Sequence, residues 1–110
     1  MIKLNQVAIK NAKICLELKF MECFVYVIGS ESEIQEGNLG KFRTYVGWTT
    51  NLNDRLKAHN SGKGAKSTRG RKWMLLYAER YFNRSTAMSR EWYLKKDRKF
   101  RKALGELAKS

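Results

Sequence analysis

Apolar and polar residues alternate in short runs along this chain, and the period changes from strand-like to helix-like twice. Ile14, Leu16, Leu18 and Phe20 are separated by Cys15, Glu17 and Lys19, the spacing of a half-buried strand. Ile2 and Leu4 alternate too, and Lys10-Asn11 can turn the chain between two strands; a short helix fits the same residues. Residues 1–22 therefore read as an N-terminal extension, a hairpin or a helix, ahead of a main domain at 23–110. Met21 offers a second place for a complete domain to begin. Phe24-Val25-Tyr26-Val27-Ile28 is apolar, β-branched and aromatic, which predicts a buried strand. A polar stretch from Gly29 to Lys41, carrying Glu31, Glu33 and Glu36, reads as a long hairpin loop, and Phe42 to Trp48 as the returning strand.

The helical period begins next. Asn51 or Thr50 can cap a helix over about Leu52 to Asn60, with Asp54 favourable in its first turn and Gly62 and Gly64 as terminators. Residues 61–72 form a loop of glycines and cations. Trp73 to Glu79 reads as a third strand. Ser85 is a candidate cap for a helix to Lys96, and Asp97 for a last helix through Ala108, with Phe100, Leu104 and Leu107 at near-helical spacing. The order β-β-α-β-α-α predicts an α+β fold: a small, mostly antiparallel three-stranded sheet flanked by helices.

Charge narrows the partner. The 110 residues carry 23 Lys and Arg against 10 Asp and Glu, a net charge of +13. That excess attracts polyanions, because neutralised phosphates release condensed counterions. Nucleic acid, DNA or RNA, is the expected partner; a ribosome-associated protein shares the composition. No apolar run reaches the roughly 18 residues of a membrane span, and no secretory leader pattern opens the chain. Cys15 and Cys23 make neither a disulfide framework nor a zinc set and read as thiols of a reducing cytosol. A cytoplasmic protein is the expectation, nucleoid-associated if its source is bacterial or archaeal.

Chemistry concentrates around the second strand. Arg55 and His59 lie four apart on the predicted helix, so they share a face. That helix directly follows the strand bearing Tyr45 and Gly47, and Tyr26 sits in the neighbouring strand. The turn between them can gather phenol, guanidinium and imidazole around one phosphate. Gly47 permits close backbone approach. Glu91, flanked by bulky residues on a later helix, is a carboxylate suited to Mg²⁺, which keeps most of its water. Each of these residues also has an ordinary structural reading: core tyrosines, a solvated Arg, a helix-end His and an exposed Glu.

In order and spacing, the chain resembles the GIY-YIG nucleases. Phe24-Val25-Tyr26 stands at the first signature tripeptide and Tyr45-Val46-Gly47 matches the second. Arg55 with His59 matches the Arg-x-x-x-His/Tyr helix, and Glu91 the metal-binding glutamate. Gly64-Ala65-Lys66-Ser67-Thr68-Arg69-Gly70-Arg71 and Arg90-Glu91-Trp92-Tyr93-Leu94-Lys95-Lys96 resemble the basic loop and following helix of small stand-alone members. The likeness covers about residues 23–104. Phe24 replaces a glycine, the segment before the second tripeptide is longer than usual, and Trp48 replaces a lysine or small polar residue, leaving that role vacant or taken by Lys66.

The resemblance implies hydrolysis of DNA phosphodiester bonds with Mg²⁺ or Mn²⁺, on branched or flapped DNA in repair or recombination. It makes Tyr26, Tyr45, Gly47, Arg55 and His59 the catalytic set and Glu91 the metal ligand. Tyr45 takes a proton from water, Arg55 neutralises phosphate charge, and His59 positions the water or relays its proton. Lys63, Lys66, Arg69, Arg71 and Lys72 on one side, and Lys95, Lys96, Arg98 and Lys99 on the other, grip the backbone. Trp48 and Trp73 are either core residues or stacking surfaces for a base. A homodimer or an accessory protein would supply target choice. A catalytically silent binding module on the same scaffold, and a metal-free nuclease with His59 as base, are the alternatives.

Overall fold

The computed structural model describes residues 22–31 and 42–109. The N-terminal extension before Glu22 and the acidic stretch 32–41 lie outside the described residues. The elements run β1 (Cys23–Glu31), β2 (Phe42–Thr49), α1 (Leu52–Asn60), a 3-10 turn (Lys66–Thr68), β3 (Met74–Tyr81), α2 (Arg84–Lys96) and α3 (Arg98–Lys109). The sheet order is β2-β1-β3, antiparallel throughout. This is the expected α+β architecture. No described helix is long and apolar enough to cross a membrane.

Strand β1 is central, and its alternate residues feed two cores. Cys23, Val25 and Val27 pack with Val46, Ala87 and Leu94, joined at the margin by Trp48, Phe100 and Leu104. Tyr26 and Ile28 face the other way, against Trp73, Tyr45, Leu52 and Leu56. Helices α2 and α3 cover the first face and α1 the second. Burying such side chains contributes about 1.5–3 kcal/mol each, so both faces hold their helices. The continuous apolar run of β1 reflects that two-sided burial.

Several boundaries differ from the sequence expectation. Strand β1 continues through Gly29, Ser30 and Glu31, paired to Thr44, Arg43 and Phe42. Polar composition argued for a loop there, but Ser30 is buried, and Arg71 donates to its Oγ at 3.3 Å and its carbonyl at 3.0 Å. Strand β3 starts at Met74 rather than Trp73, because Asn60 occupies both backbone groups of Trp73: Trp73 N–H donates to Asn60 Oδ1 at 2.6 Å and Asn60 Nδ2 donates to Trp73 O at 3.1 Å. Asn83, not Ser85, caps α2, its Oδ1 accepting from Thr86 N–H at 2.7 Å. Asn51 caps α1 and Asp97 caps α3 as expected, each accepting at 3.1 Å. The loop 61–72 contains the 3-10 turn, which the glycine and lysine content concealed.

One polar network went unanticipated. Tyr77, Glu79 and Tyr81 alternate on β3 and point to the α2 face. Arg90 of α2 forks onto Glu79, Nε to Oε1 at 2.9 Å and Nη2 to Oε2 at 3.0 Å, and both tyrosine hydroxyls donate to the same carboxylate. Four donors on one half-buried acid fix α2 in rotation and height above the sheet. Burial pushes the Glu79 carboxyl up, but the Arg90 and tyrosine hydrogen bonds outweigh it and hold it at about 2, below 4.5. Tyr81 is pushed up to about 12, by burial and then by its bond to Glu79. Because the folded value lies below the unfolded one, this stabilisation is complete above pH 4.5 and is lost as pH falls towards 2. Its size is about 3 kcal/mol at most. Urea titrations across that range should show the acid-sensitive component in the native sequence and a much smaller one in Glu79→Gln.

Candidate active site

The site begins with a strand register. Tyr26 of β1 lies opposite Gly47 of β2. A Cβ on residue 47 would stand 2.5 Å from Tyr26 Oη and 2.7 Å from its Cζ, so the phenol occupies the space a side chain would take. The short link from β2 into α1, locked by the Asn51 cap, then sets the helix beside that phenol. Arg55 and His59, one turn apart, both reach it: Tyr26 Oη is 2.7 Å from His59 Nε2, and Arg55 Nε–H donates to Tyr26 Oη at 3.3 Å. The Tyr45 ring lies 5.0 Å from the imidazole and 6.4 Å from the Tyr26 ring, centroid to centroid. Residues 26, 45, 47, 55 and 59 thus converge on one hollow.

Depth separates their roles. Tyr26 is 2% exposed and His59 0%, whereas Tyr45 and Arg55 are half-buried at the rim. His59 therefore reaches the hollow through Tyr26 and not directly. Burial, and then the Arg55 charge, push the His59 imidazole below its usual value, so it is neutral at pH 7. Burial raises the Tyr26 phenol, opposed by the Arg55 hydrogen bond and charge. The bond to Tyr26 raises Arg55 in turn, against burial, with Tyr45 adding in the same direction.

Glu91 sits half-buried on α2, its carboxylate paired with Lys95 Nζ at 3.6 Å. It makes no direct bond in the tyrosine cluster. Its charge nevertheless acts on the Tyr26 phenol, the last of the influences raising it. Among the described residues no group of three or more His, Cys, Asp and Glu could hold a metal. A lone half-buried carboxylate fits Mg²⁺ or Mn²⁺ carried mainly by water and substrate oxygens, and no ion that demands a full protein cage.

The predicted grip residues divide. Lys63, Lys66, Arg69, Lys72, Arg98 and Lys99 are exposed. Lys96 lies over the Trp92 ring at 3.6 Å and Lys95 pairs with Glu91. Arg71 is engaged inside the domain by Ser30. Trp73 is buried, its Nε1 donating to Thr68 O at 2.8 Å, and Trp48 packs at the core margin beneath Arg84. Gly64 is no helix terminator. α1 ends at Ser61, and Gly64 lies against the His59 ring. Sequence reasoning also passed over Thr68, whose Oγ1 is 2.8 Å from His59 Nδ1. The signal was present as small residues, Gly64, Ala65, Ser67 and Thr68, set between cations in a loop read only for charge.

The family model for the GIY-YIG catalytic domain matches residues 22–103. The chain belongs to the GIY-YIG family. It is similar to a UPF0213 protein of Clostridium perfringens, 57% identical over 53 residues that make up 47% of this chain and 57% of the relative. A UPF0213 protein of Oceanobacillus iheyensis is 46% identical over 59 residues, 53% of this chain and 69% of the relative. One from Bacillus licheniformis is 51% identical over 53 residues, 47% and 55% respectively. The chain spans little more than half the length of the first and third of these relatives. No solved structure matches. The GIY-YIG domain occupies nearly all the described residues, and both signature strands, β1 and β2, line the hollow.

Two outcomes follow for the site. His59 is the sole histidine, so its titration is directly visible by NMR and should fall below the ordinary value near 6.5. The fold favours the neutral ring, so stability should decline as pH drops below about 6.5 and level off past the folded value. Separately, Gly47→Ala should push Tyr26 off His59 and lower stability by about 2 kcal/mol, read as a drop in Tm and an altered His59 titration.

Proposed function

We propose that this GIY-YIG protein is a metal-dependent endonuclease that hydrolyses DNA phosphodiester bonds, with branched or flapped DNA as its substrate. The observation that carries this reading is the convergence of two phenols, a guanidinium and an imidazole on one hollow in a protein of net charge +13. The family's catalytic domain supplies the reaction class.

Tyr45, at the accessible rim, takes the proton of the attacking water. Arg55, aligned by Tyr26, sets a fixed positive charge against the phosphate as negative charge builds on it; such preorganised contacts are worth a few kcal/mol, about 3 for a single donor. Tyr26 and His59 lie too deep to touch the substrate and hold Arg55 in place from beneath. Glu91 would hold Mg²⁺ or Mn²⁺, which when bound supplies Lewis-acid charge at the phosphate and the leaving 3′-oxygen.

Two groups of exposed cations are available to a nucleic acid: Lys63, Lys66, Arg69 and Lys72 on the loop after α1, and Lys95, Lys96, Arg98 and Lys99 at the α2–α3 junction. Both offer phosphate contacts and no base readout, so DNA shape rather than sequence directs binding. This favours junctions and flaps, which present two backbones at an angle.

Purified protein should cleave flapped and four-way DNA in the presence of Mg²⁺ and stop in EDTA. Tyr45→Phe, Arg55→Ala and Glu91→Ala should each lower the rate by about a hundredfold or more, with DNA binding largely kept. Tight, salt-sensitive binding without cleavage by the native sequence would instead make it a silent binding module.

A further inference from the structure

We propose that Thr68 is a positioning residue for the reaction: it holds the His59 proton on Nδ1, leaving Nε2 as a bare acceptor for the Tyr26 hydroxyl. This rests on the nuclease reading for its consequence, though not for its geometry.

The direction of the hydrogen-bond chain follows from counting protons at both ends. Thr68 Oγ1 is 2.9 Å from the carbonyl of Ala65 and 2.8 Å from His59 Nδ1. A carbonyl only accepts, and a hydroxyl has one hydrogen, so that hydrogen goes to Ala65. Thr68 Oγ1 is then an acceptor towards the imidazole, and His59 must donate from Nδ1. At the far end, Tyr26 Oη accepts from Arg55 Nε–H and its own hydrogen needs an acceptor in a site 2% exposed. His59 Nε2, at 2.7 Å, is that acceptor. Both ends favour the same tautomer, and with either acceptor or donor removed it is held less firmly. The chain reads Arg55 to Tyr26 to His59 to Thr68 to Ala65, each group donating to the next.

Thr68 is itself anchored. It is fully buried, and its carbonyl accepts from Trp73 Nε1 at 2.8 Å. Trp73 is held at its backbone by Asn60, the residue after His59. Gly64 closes the same side of the ring: a Cβ there would lie 2.3 Å from Nδ1. The loop 61–72 is thus built around the Nδ1 edge of the imidazole, with its cations outside.

Were the proton on Nε2 instead, the imidazole would donate to the phenol oxygen and the Tyr26 hydrogen would lose its acceptor; to regain one, the phenol must rotate, which loosens its bond to Arg55. The guanidinium would lose the contact that aligns it with the phosphate.

The test uses the full chain labelled with ¹⁵N and reads the single imidazole by long-range ¹H–¹⁵N correlation. The native protein should show a protonated Nδ1 and a bare Nε2. Thr68→Ser should keep that pattern, and Thr68→Val, which removes the acceptor at nearly equal volume, should shift it towards a tautomer mixture. On flapped DNA with Mg²⁺, Thr68→Val should lower kcat about tenfold or more with KM little changed, and Thr68→Ser should restore it. A native imidazole protonated on Nε2 overturns the proposal, even if Thr68→Val does not fold. So does a Thr68→Val protein that keeps the Nδ1 pattern or native kcat. Absence of cleavage by the native protein, with the tautomer pattern as stated, removes the nuclease reading and leaves the assignment of the imidazole standing.

Discussion

The bond between Tyr26 Oη and His59 Nε2, 2.7 Å long and buried, joins the two parts of the molecule that the site requires. Tyr26 belongs to the central strand and His59 to the last full turn of α1. One contact therefore ties the sheet to the helix at the point where Arg55 must be presented. An unpaired phenol or imidazole at that depth would cost about 1–3 kcal/mol, so the pair is strongly favoured to form. Gly47 makes room for it, and Thr68 satisfies the other side of the ring. Local sequence, register and loop conformation all agree on the same small volume.

Much of this was legible in the residues themselves. The strand β1 announced itself as an apolar, aromatic run, and the Asn51 cap and the four-residue spacing of Arg55 and His59 placed both side chains on one helix face. Gly47 left room for a close approach, and the strand register supplies what fills it, Tyr26. What remained hidden was hidden for physical reasons. Ser30 is polar but paired, and composition cannot see that Arg71 reaches it from 41 residues away. Thr68 sits between cations, so charge masked a hydrogen-bond acceptor. The split between the buried Tyr26 and the rim Tyr45 depends on which strand is central, and sheet order is a property of the folded chain.

Glu79 shows the same limit from the other side. An acid between two tyrosines on a strand looks like a solvent-facing residue. It becomes an anchor only because Arg90, 11 residues later, rises over the same face. Arg90 precedes Glu91, the carboxylate proposed for the metal. Residues adjacent on a helix project about 100° apart, so gripping Arg90 over the sheet turns Glu91 towards the flank of the helix. The Glu79 clamp thus sets where Glu91 points without touching it, by fixing the rotation of α2.

The excess positive charge is also divided by chemistry. Among the described residues, the cations that are half-buried are all arginines: Arg55 on Tyr26, Arg71 on Ser30, Arg90 on Glu79 and Arg101 on Thr44 and the Lys95 carbonyl. The described lysines are all exposed. A planar guanidinium is weakly hydrated and bonds in a fixed fork, so it tolerates burial; an ammonium keeps its water and acts as a point charge. The arginines inside the domain hold parts together and, at Arg55, present a fixed charge to the hollow. The lysines outside, with exposed arginines such as Arg69 and Arg98, form a diffuse positive field that is screened by salt. On the proposed function, a change in ionic strength alters how tightly a polyanion is held by the exposed cations while leaving the buried contacts around Tyr26 intact.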